Sequence, residues 1–359
     1  MFELVCNFHM HTPYSDGELY HAGIAQAALR AGLDCVCVTD HNVWVKGPER
    51  YYEQDDRRVL LLVGEEVHDQ ARQPQKNHLL VYGAECELAR DAPQPQALLD
   101  AAAAAGGLTF LAHPFDPPVP LSPESDLSWD NWEVQGYTGI ELWNYMTSFK
   151  ALLTSRATAI RYAYNPELGI QAPFAELLRR WDELTVLGAR VVAIGGADAH
   201  GTAYRAWALR RVVFPYEFLF RQVNTHVLAE TAPTGDFDHD KRLVLEALAR
   251  GHCFVGYDGA APTRGFHFTA TGERGTCLMG DEIVNRSGLT LQMAAPAVAS
   301  LRLIRDGQAL GRWDNQTHAS HTVPAGEAAV FRAEAHITFK GRQRGWIYSN
   351  PIYVRAPRL

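Results

Sequence analysis

Glu3-Leu4-Val5-Cys6-Asn7-Phe8-His9-Met10-His11 is a short, largely apolar run that ends in two histidines. In an extended chain, side chains at i and i+2 leave the same face, so His9 and His11 can hold one cation between them. Beyond this run, Leu19–Ala31 carries apolar residues at helical spacing, and Gly32 stands where such a helix stops. The alternation then continues. Candidate strands follow at Leu33–Val38, Val59–Val63, His78–Tyr82, Leu108–Ala112, Gly139–Trp143 and Arg190–Gly195, with helices through Ala97–Ala105 and Phe174–Leu187. Strands alternating with helices predict a parallel sheet, and seven of them predict a closed barrel. Pro114–Pro123 reads as a long loop directly after a strand, the kind of segment that tends to serve function.

The same chemistry recurs along the chain. His9 and His11 are followed by Asp16 in Tyr14-Ser15-Asp16-Gly17. The second strand ends in Thr39-Asp40-His41-Asn42, the third in Val63-Gly64-Glu65-Glu66, and His78 opens the fourth. Ala112-His113-Pro114 ends the fifth, and Gly196-Ala197-Asp198-Ala199-His200 ends the seventh. In barrels, the C-terminal ends of the strands form the mouth of the active site. A lone strand-end histidine is more often hydrogen-bonded to backbone than bound to metal, and Asp198-Ala199-His200 alone also reads as a helix cap. Repetition at strand end after strand end does not share that explanation. Imidazole and carboxylate together favour Mn²⁺, Fe²⁺ or Zn²⁺ over Ca²⁺ or Mg²⁺. Six histidines and three carboxylates exceed one site and fit two to three divalent transition metals.

The 359 residues are 47% hydrophobic and 21% charged, a composition for a folded chain of two domains. After about residue 260 the pattern becomes period-two, as in Leu289-Thr290-Leu291-Gln292-Met293 and Leu301-Arg302-Leu303-Ile304-Arg305, with turn signals at Asp306-Gly307 and Pro324-Ala325-Gly326. That stretch predicts a β-sandwich over 260–359, behind a first domain over 1–259. Residues 260–359 carry 12 Lys and Arg against 7 Asp and Glu, a net of +5, which leaves the first 259 residues at −13. So acidic a first domain argues against a broad nucleic-acid surface and suits one that gathers cations. No run approaches the ~20 apolar residues of a membrane span. The N-terminus lacks the basic and apolar regions of a secretory signal, and six cysteines without Cys-x-x-Cys spacing form no disulfide framework, so the expected compartment is the cytoplasm.

Taken in order, His9-Met10-His11-Thr12, Ser15-Asp16-Gly17, Thr39-Asp40-His41-Asn42, Gly64-Glu65-Glu66, His78, Ala112-His113-Pro114 and Gly196-Ala197-Asp198-Ala199-His200 resemble the motifs of the PHP (polymerase and histidinol phosphatase) superfamily over about residues 1–260. The resemblance implies a distorted (β/α)7 TIM-like barrel with a trinuclear metal centre for phosphoester hydrolysis. Carried over by motif, His9, His11, Glu66 and Asp198 would bind one metal, and Glu66 would bridge to a second held by His78 and His113. Asp16, His41 and His200 would bind the third. Trp346-Ile347-Tyr348-Ser349-Asn350-Pro351-Ile352-Tyr353-Val354 resembles the ending of a branch that carries a C-terminal β-domain and includes proteins named for carbamate-ester hydrolysis.

The expected activity is therefore a metal-dependent phosphoesterase on a small phosphate ester or nucleotide, with hydroxide bridging two metals as the attacking group. Glu66, Asp198 and His200 are the candidate catalytic residues. A carboxylic or carbamic ester hydrolase, or a silent metal-binding scaffold, are the competing readings. Asp40 is expected to orient an imidazole. Glu141 points toward the mouth by position, and Arg205 is a candidate phosphate contact set against a surface salt bridge. Trp44, Trp143 and Tyr145 are candidates for stacking a nucleobase or an aryl leaving group. His21, His68 and His226 match no motif and read as ordinary polar residues.

Overall fold

A computed structural model of the chain describes residues 1–119, 121, 125–206 and 209–357, and leaves the side chains of 204–210 aside. The chain opens with β1 (Phe2–Asn7), α1 (His21–Ala31), β2 (Cys35–Val38), β3 (Arg50–Gln54), β4 (Arg57–Val67) and β5 (Leu79–Tyr82). It continues through α2 (Pro95–Ala104), β6 (Leu108–Leu111), β7 (Gly139–Asn144), α3 (Tyr145–Lys150), α4 (Arg156–Tyr164), α5 (Ala175–Val186) and β8 (Val192–Gly196). Next come β9 (Ala203–Ala206), β10 (Leu209–Val212), α6 (Tyr216–Leu219), β11 (Val223–Ala229), α7 (Phe237–Arg250) and β12 (Cys253–Tyr257). β1, β2, β4, β5, β6, β7 and β8 stand where the hydrophobic pattern predicts seven strands. Gly32 closes α1 as expected, in a left-handed conformation (φ 85°) with its N–H donating to the carbonyls of Ala28 and Leu29.

The fold is mixed α/β, and two expectations about the sheet need correction. β1–β2, β2–β4, β6–β7 and β7–β8 pair in parallel, but β5 is antiparallel to both β4 and β6. Parallel neighbours need a long crossover, whereas only residues 68–78, with no helix, join β4 to β5. Nor does the sheet close as a barrel. β1 gives one edge to β2 and the other to the antiparallel β11, so β8 reaches it only at the single bridge Met10↔Ala199. That bridge still draws the end of the eighth strand onto the end of the first.

The C-terminal stretch holds β13 (His267–Gly272), β14 (Gly275–Leu278), β15 (Glu282–Val284), β16 (Leu289–Arg305), β17 (Gln308–Val323), β18 (Ala329–Phe339), β19 (Arg342–Ser349) and β20 (Ile352–Arg355). Asp306 and Gly307, at φ 48° and 78°, make the tight turn between β16 and β17 that the sequence signals. The first part of β16 pairs with β13 and its second part with β18, and residues from both parts share one apolar core with Phe331, Trp346 and Ile352. β12 pairs with β19, so among the described residues 18 strands hydrogen-bond into one continuous sheet. Leu228 and Phe254 join the C-terminal core, and Tyr348 joins the core beneath the first strands. Asn350 fixes this seam by accepting from the Ala193 N–H at 2.8 Å and donating to the Cys253 carbonyl at 2.9 Å. Among the described residues, no helix is long and apolar enough to cross a membrane.

Candidate metal centre

Four strand ends meet where β1 runs into the first loop. The Asn7 carboxamide oxygen accepts from the Ala197 N–H at 3.2 Å, and the His11 N–H donates to the Ala199 carbonyl at 3.0 Å. These bonds place the His9–His11 turn beside Asp198 and His200. On the other side, Glu66 N–H donates to Asp40 O and Asn42 N–H to Glu66 O, extending the β2–β4 pairing past the strands so that His41 lies against Glu66. Gly196 is required for close approach: a Cβ there would lie 2.4 Å from Glu141 Oε1 and 3.0 Å from His9 Cβ. His113 and Asp198 hold left-handed backbone (φ 27° and 53°), strain worth about 1–3 kcal/mol each for non-glycine residues.

The result is a buried carboxylate ringed by imidazoles. Glu66 Oε2 lies 3.0 Å from His9 Nε2, 3.2 Å from His11 Nε2 and 3.3 Å from His41 Nδ1. Glu66 Oε1 lies 2.8 Å from His78 Nδ1 and 3.0 Å from His113 Nε2. Asp198 Oδ1 is 3.4 Å from both His9 Nε2 and His11 Nε2, and 3.5 Å from His200 Nδ1. Asp16 faces His200 Nε2 at 3.3 Å, His11 Nδ1 at 3.7 Å and His41 Nε2 at 3.8 Å. Two ligands of one divalent cation at ~2.1 Å stand about 3.0–3.4 Å apart, from octahedral to tetrahedral geometry. Most of these spacings match that range. His11 Nε2 and His41 Nδ1 are buried without a hydrogen-bond partner among the described residues, as ligand nitrogens are before a cation satisfies them. The donor set thus fits divalent metals, and ligand atoms of His9, His11 and Glu66, of Glu66, His78 and His113, of His9, His113 and Asp198, and of His11, Asp16, His41 and His200 each converge within 4.8 Å.

Burial pushes the Glu66 carboxyl upward, but the imidazoles of His9, His41 and His78 outweigh it and hold the group well below the usual carboxylate range. Asp198 is held down in the same way, burial being overcome by His9, His11 and His200. Burial lowers His9 and His11, yet Glu141, Asp198 and Glu66 raise His9 well above its ordinary value, and Asp198 and Glu66 bring His11 up to about 9. His41 goes the other way, pushed well down by burial and by neighbouring His11 and His78. The carboxylates demand positive charge here, from protons on imidazole or from cations. Only unprotonated nitrogen ligates, so cation binding displaces protons and strengthens as pH rises.

Glu141 has a defined place in this cluster. It lies 2.9 Å from His9 Nδ1, accepts from the His113 N–H at 2.9 Å and from Asn144 Nδ2 at 2.9 Å, and Asn144 Nδ2 also reaches Asp198 Oδ2 at 3.2 Å. One carboxylate therefore orients two imidazole-bearing strand ends. Asp40 does not orient an imidazole. Its oxygens accept from the Thr12 N–H (2.6 Å), the Thr12 hydroxyl (2.7 Å) and the Ser15 hydroxyl (2.7 Å), which pins the loop that carries Asp16. Trp143 and Tyr145 cannot stack on a substrate, because both are buried, the first against Tyr257 and Tyr348 and the second near Phe214 and Phe218. The Arg205 side chain lies outside the described residues. His226 sits at the seam, between Glu3 (2.6 Å) and Asp258 (3.0 Å). His68, passed over in the sequence, lies in the cluster, its ring 4.2 Å from that of His78 and nearly parallel to it. Strand parity would have found it, because Glu66 and His68 are two residues apart at the end of β4.

The strand ends of this mixed α/β fold gather histidines and carboxylates into groups suited to divalent metals. Residues 7–111 match the model of the PHP domain, so the resemblance read from the motifs is shown for that segment. The match spans His9, His11, Asp16, His41, Glu66 and His78. No curated protein matches the chain. Among solved structures, it is similar to a two-domain protein of Bacteroides vulgatus described as containing a predicted PHP-like metal-dependent phosphoesterase, at 16% identity and a TM-score of 0.44, over 98% of this chain and 95% of that one. It is also similar to an amidohydrolase of Chromobacterium violaceum with bound sulfate, at 14% identity and a TM-score of 0.29, over 54% of this chain and 87% of that one.

Proposed function

We propose that the chain is a metal-dependent phosphoesterase acting on a small phosphate ester or nucleotide. The observation that carries the proposal is Glu66, a fully buried carboxylate with five imidazole nitrogens 2.8–3.3 Å from its two oxygens. In this reading His9, His11, Glu66 and Asp198 hold one cation, Glu66 with His78 and His113 a second, and Asp16, His41 and His200 a third. Mn²⁺, Fe²⁺ or Zn²⁺ suits such mixed nitrogen and oxygen donors. When bound, these cations supply Lewis-acid polarisation of the phosphoryl group and a lowered pKa for the attacking water.

The chain's own residues do the rest. Glu66 keeps two seats at one carboxylate, and Glu141 fixes the His9 ring through Nδ1. Phe8 and Met10, fully buried on either side of His9 in the sequence, anchor this end of the first strand in the apolar core. Asp16 and His200 are partly exposed, with side chains 54% and 21% accessible, and mark the side from which substrate arrives. Residues 1–259 form the catalytic unit in this proposal, and residues 260–359 form a β-sandwich that buttresses it.

Purified chain with added Mn²⁺, assayed on p-nitrophenyl phosphate, bis-p-nitrophenyl phosphate, nucleotides and aryl carbamates, tests this reading. Turnover of a phosphate ester that chelation abolishes is the expected result. Turnover of carbamates alone would replace the substrate class, and none on any of them, with metal bound, would favour a silent scaffold.

A further inference from the structure

His68 is 6% exposed, and its Nδ1 has no hydrogen-bond partner among the described residues. An imidazole hidden from water with an idle nitrogen calls for a partner. Its position is fixed by the backbone: the His68 N–H donates to Asn42 Oδ1 at 2.9 Å, and the Asn42 N–H donates to Glu66 O at 3.0 Å. Being two residues beyond Glu66, it leaves the strand on the face that carries the bridging carboxylate. Its ring stacks on His78 with centroids 4.2 Å apart and 12° between planes, and meets His41 edge-on at 5.0 Å. One nitrogen from each of His41, His68 and His78 lies within 4.8 Å of the others.

We infer that His68 is a metal ligand of this chain, forming with His41 and His78 a three-imidazole seat for a borderline divalent cation such as Zn²⁺. The inference rests on the metal-dependent reading of the site proposed above. Three neutral nitrogen donors without a carboxylate favour Zn²⁺, Ni²⁺ or Cu²⁺ over Mg²⁺ or Ca²⁺. His41 also faces Asp16, and His78 also faces Glu66. The seat is therefore an alternative position for one of the two to three cations, not a place for a further one. Nitrogen-preferring cations should use it more than Mn²⁺ does, so its occupancy depends on the metal supplied.

Crystals of the wild-type chain grown with Zn²⁺ and measured at the zinc absorption edge test this without any substitution. The expected result is anomalous density about 2.1 Å from a His68 ring nitrogen. Density at Glu66 with none at His68 would overturn the inference and leave the metal-dependent reading intact. No density at Glu66 or His68 would overturn both. In parallel, metal-free wild type, His68→Ala and His68→Gln are titrated with Zn²⁺ in a calorimeter, with circular dichroism confirming the fold. Both variants should bind one class of Zn²⁺ at least about tenfold more weakly, with the other equivalents unchanged. Isotherms identical to wild type would show that His68 only packs against His78.

Discussion

Replacing Glu66 by glutamine is nearly isosteric and removes one negative charge from the centre of five imidazoles. In the metal-free chain the effect is on stability. Glu66 balances the positive charge that Glu141, Asp198 and Glu66 together draw onto His9 and His11, so its loss leaves protonated imidazoles in a fully buried site. Breaking a buried ion pair from one side costs about 3–5 kcal/mol, which a denaturant melt of the chelated protein reads directly. In the metal-loaded chain the glutamine is a poorer ligand for two seats, and its NH₂ group donates where an acceptor is needed. Bound metal should fall, and turnover should drop at least about a hundredfold. Glu65→Gln is the control. Glu65 lies on the opposite strand face, where Oε2 accepts from the Leu88 N–H at 2.9 Å and burial pushes its carboxyl up to about 7. A carboxyl raised from its ordinary 4.5 costs stability that grows as pH climbs through that interval and is complete above about 7. Glu65→Gln should therefore keep its metal and be more stable than wild type at pH 8. If Glu65→Gln loses metal and Glu66→Gln does not, the bridge has been placed one residue off.

Glu141→Gln should cost about 10–100-fold in metal affinity or activity, because the amide holds His9 and the His113 backbone less firmly; metal titration with unchanged circular dichroism checks it. Burial pushes His226 down, but Asp258 and Glu3 outweigh it and bring the ring up to about 9. Its stabilising contribution is thus fully present below about 6.5 and lost as pH rises through about 9, of order 3 kcal/mol in all. Chemical melts between pH 6.5 and 9 should show this slope in wild type and not in His226→Gln. Finally, His267, His318, His321 and His336 lie on the C-terminal strands and in none of the ligand groups, so each alanine variant should keep its full metal content by elemental analysis.

Much of the site is legible in sequence because it lies at strand ends, where an apolar run stops and a ligand begins. His9, His11, His41, Glu66, His113 and Asp198 all follow that rule, and the structure brings them within a few ångströms of Glu66 or of one another. His68 breaks it, sitting one residue past β4 in a polar loop, and only its spacing from Glu66 marks it. Closure of the barrel is misread for a different reason. β11, Val223-Asn224-Thr225-His226-Val227-Leu228-Ala229, is buried throughout, yet three consecutive polar residues hide its strand character. Their hydrogen bonds explain how that burial is tolerated: Asn224 to Asp258, Thr225 to Gly195, His226 to Glu3. None of these partners is near in sequence. The roles of Asp40 and of Trp143 likewise depend on which face the backbone turns inward, which adjacency to a motif does not reveal.

Elemental analysis of the purified chain, before and after dialysis against a chelator and again after reconstitution with Mn²⁺ or Zn²⁺, tests the central claim most directly. The cluster around Glu66 predicts two to three divalent cations per chain, lost on chelation and regained on reconstitution, and fewer in Glu66→Gln. A folded chain that takes up none, with His9, His11 and His113 intact, would contradict the account.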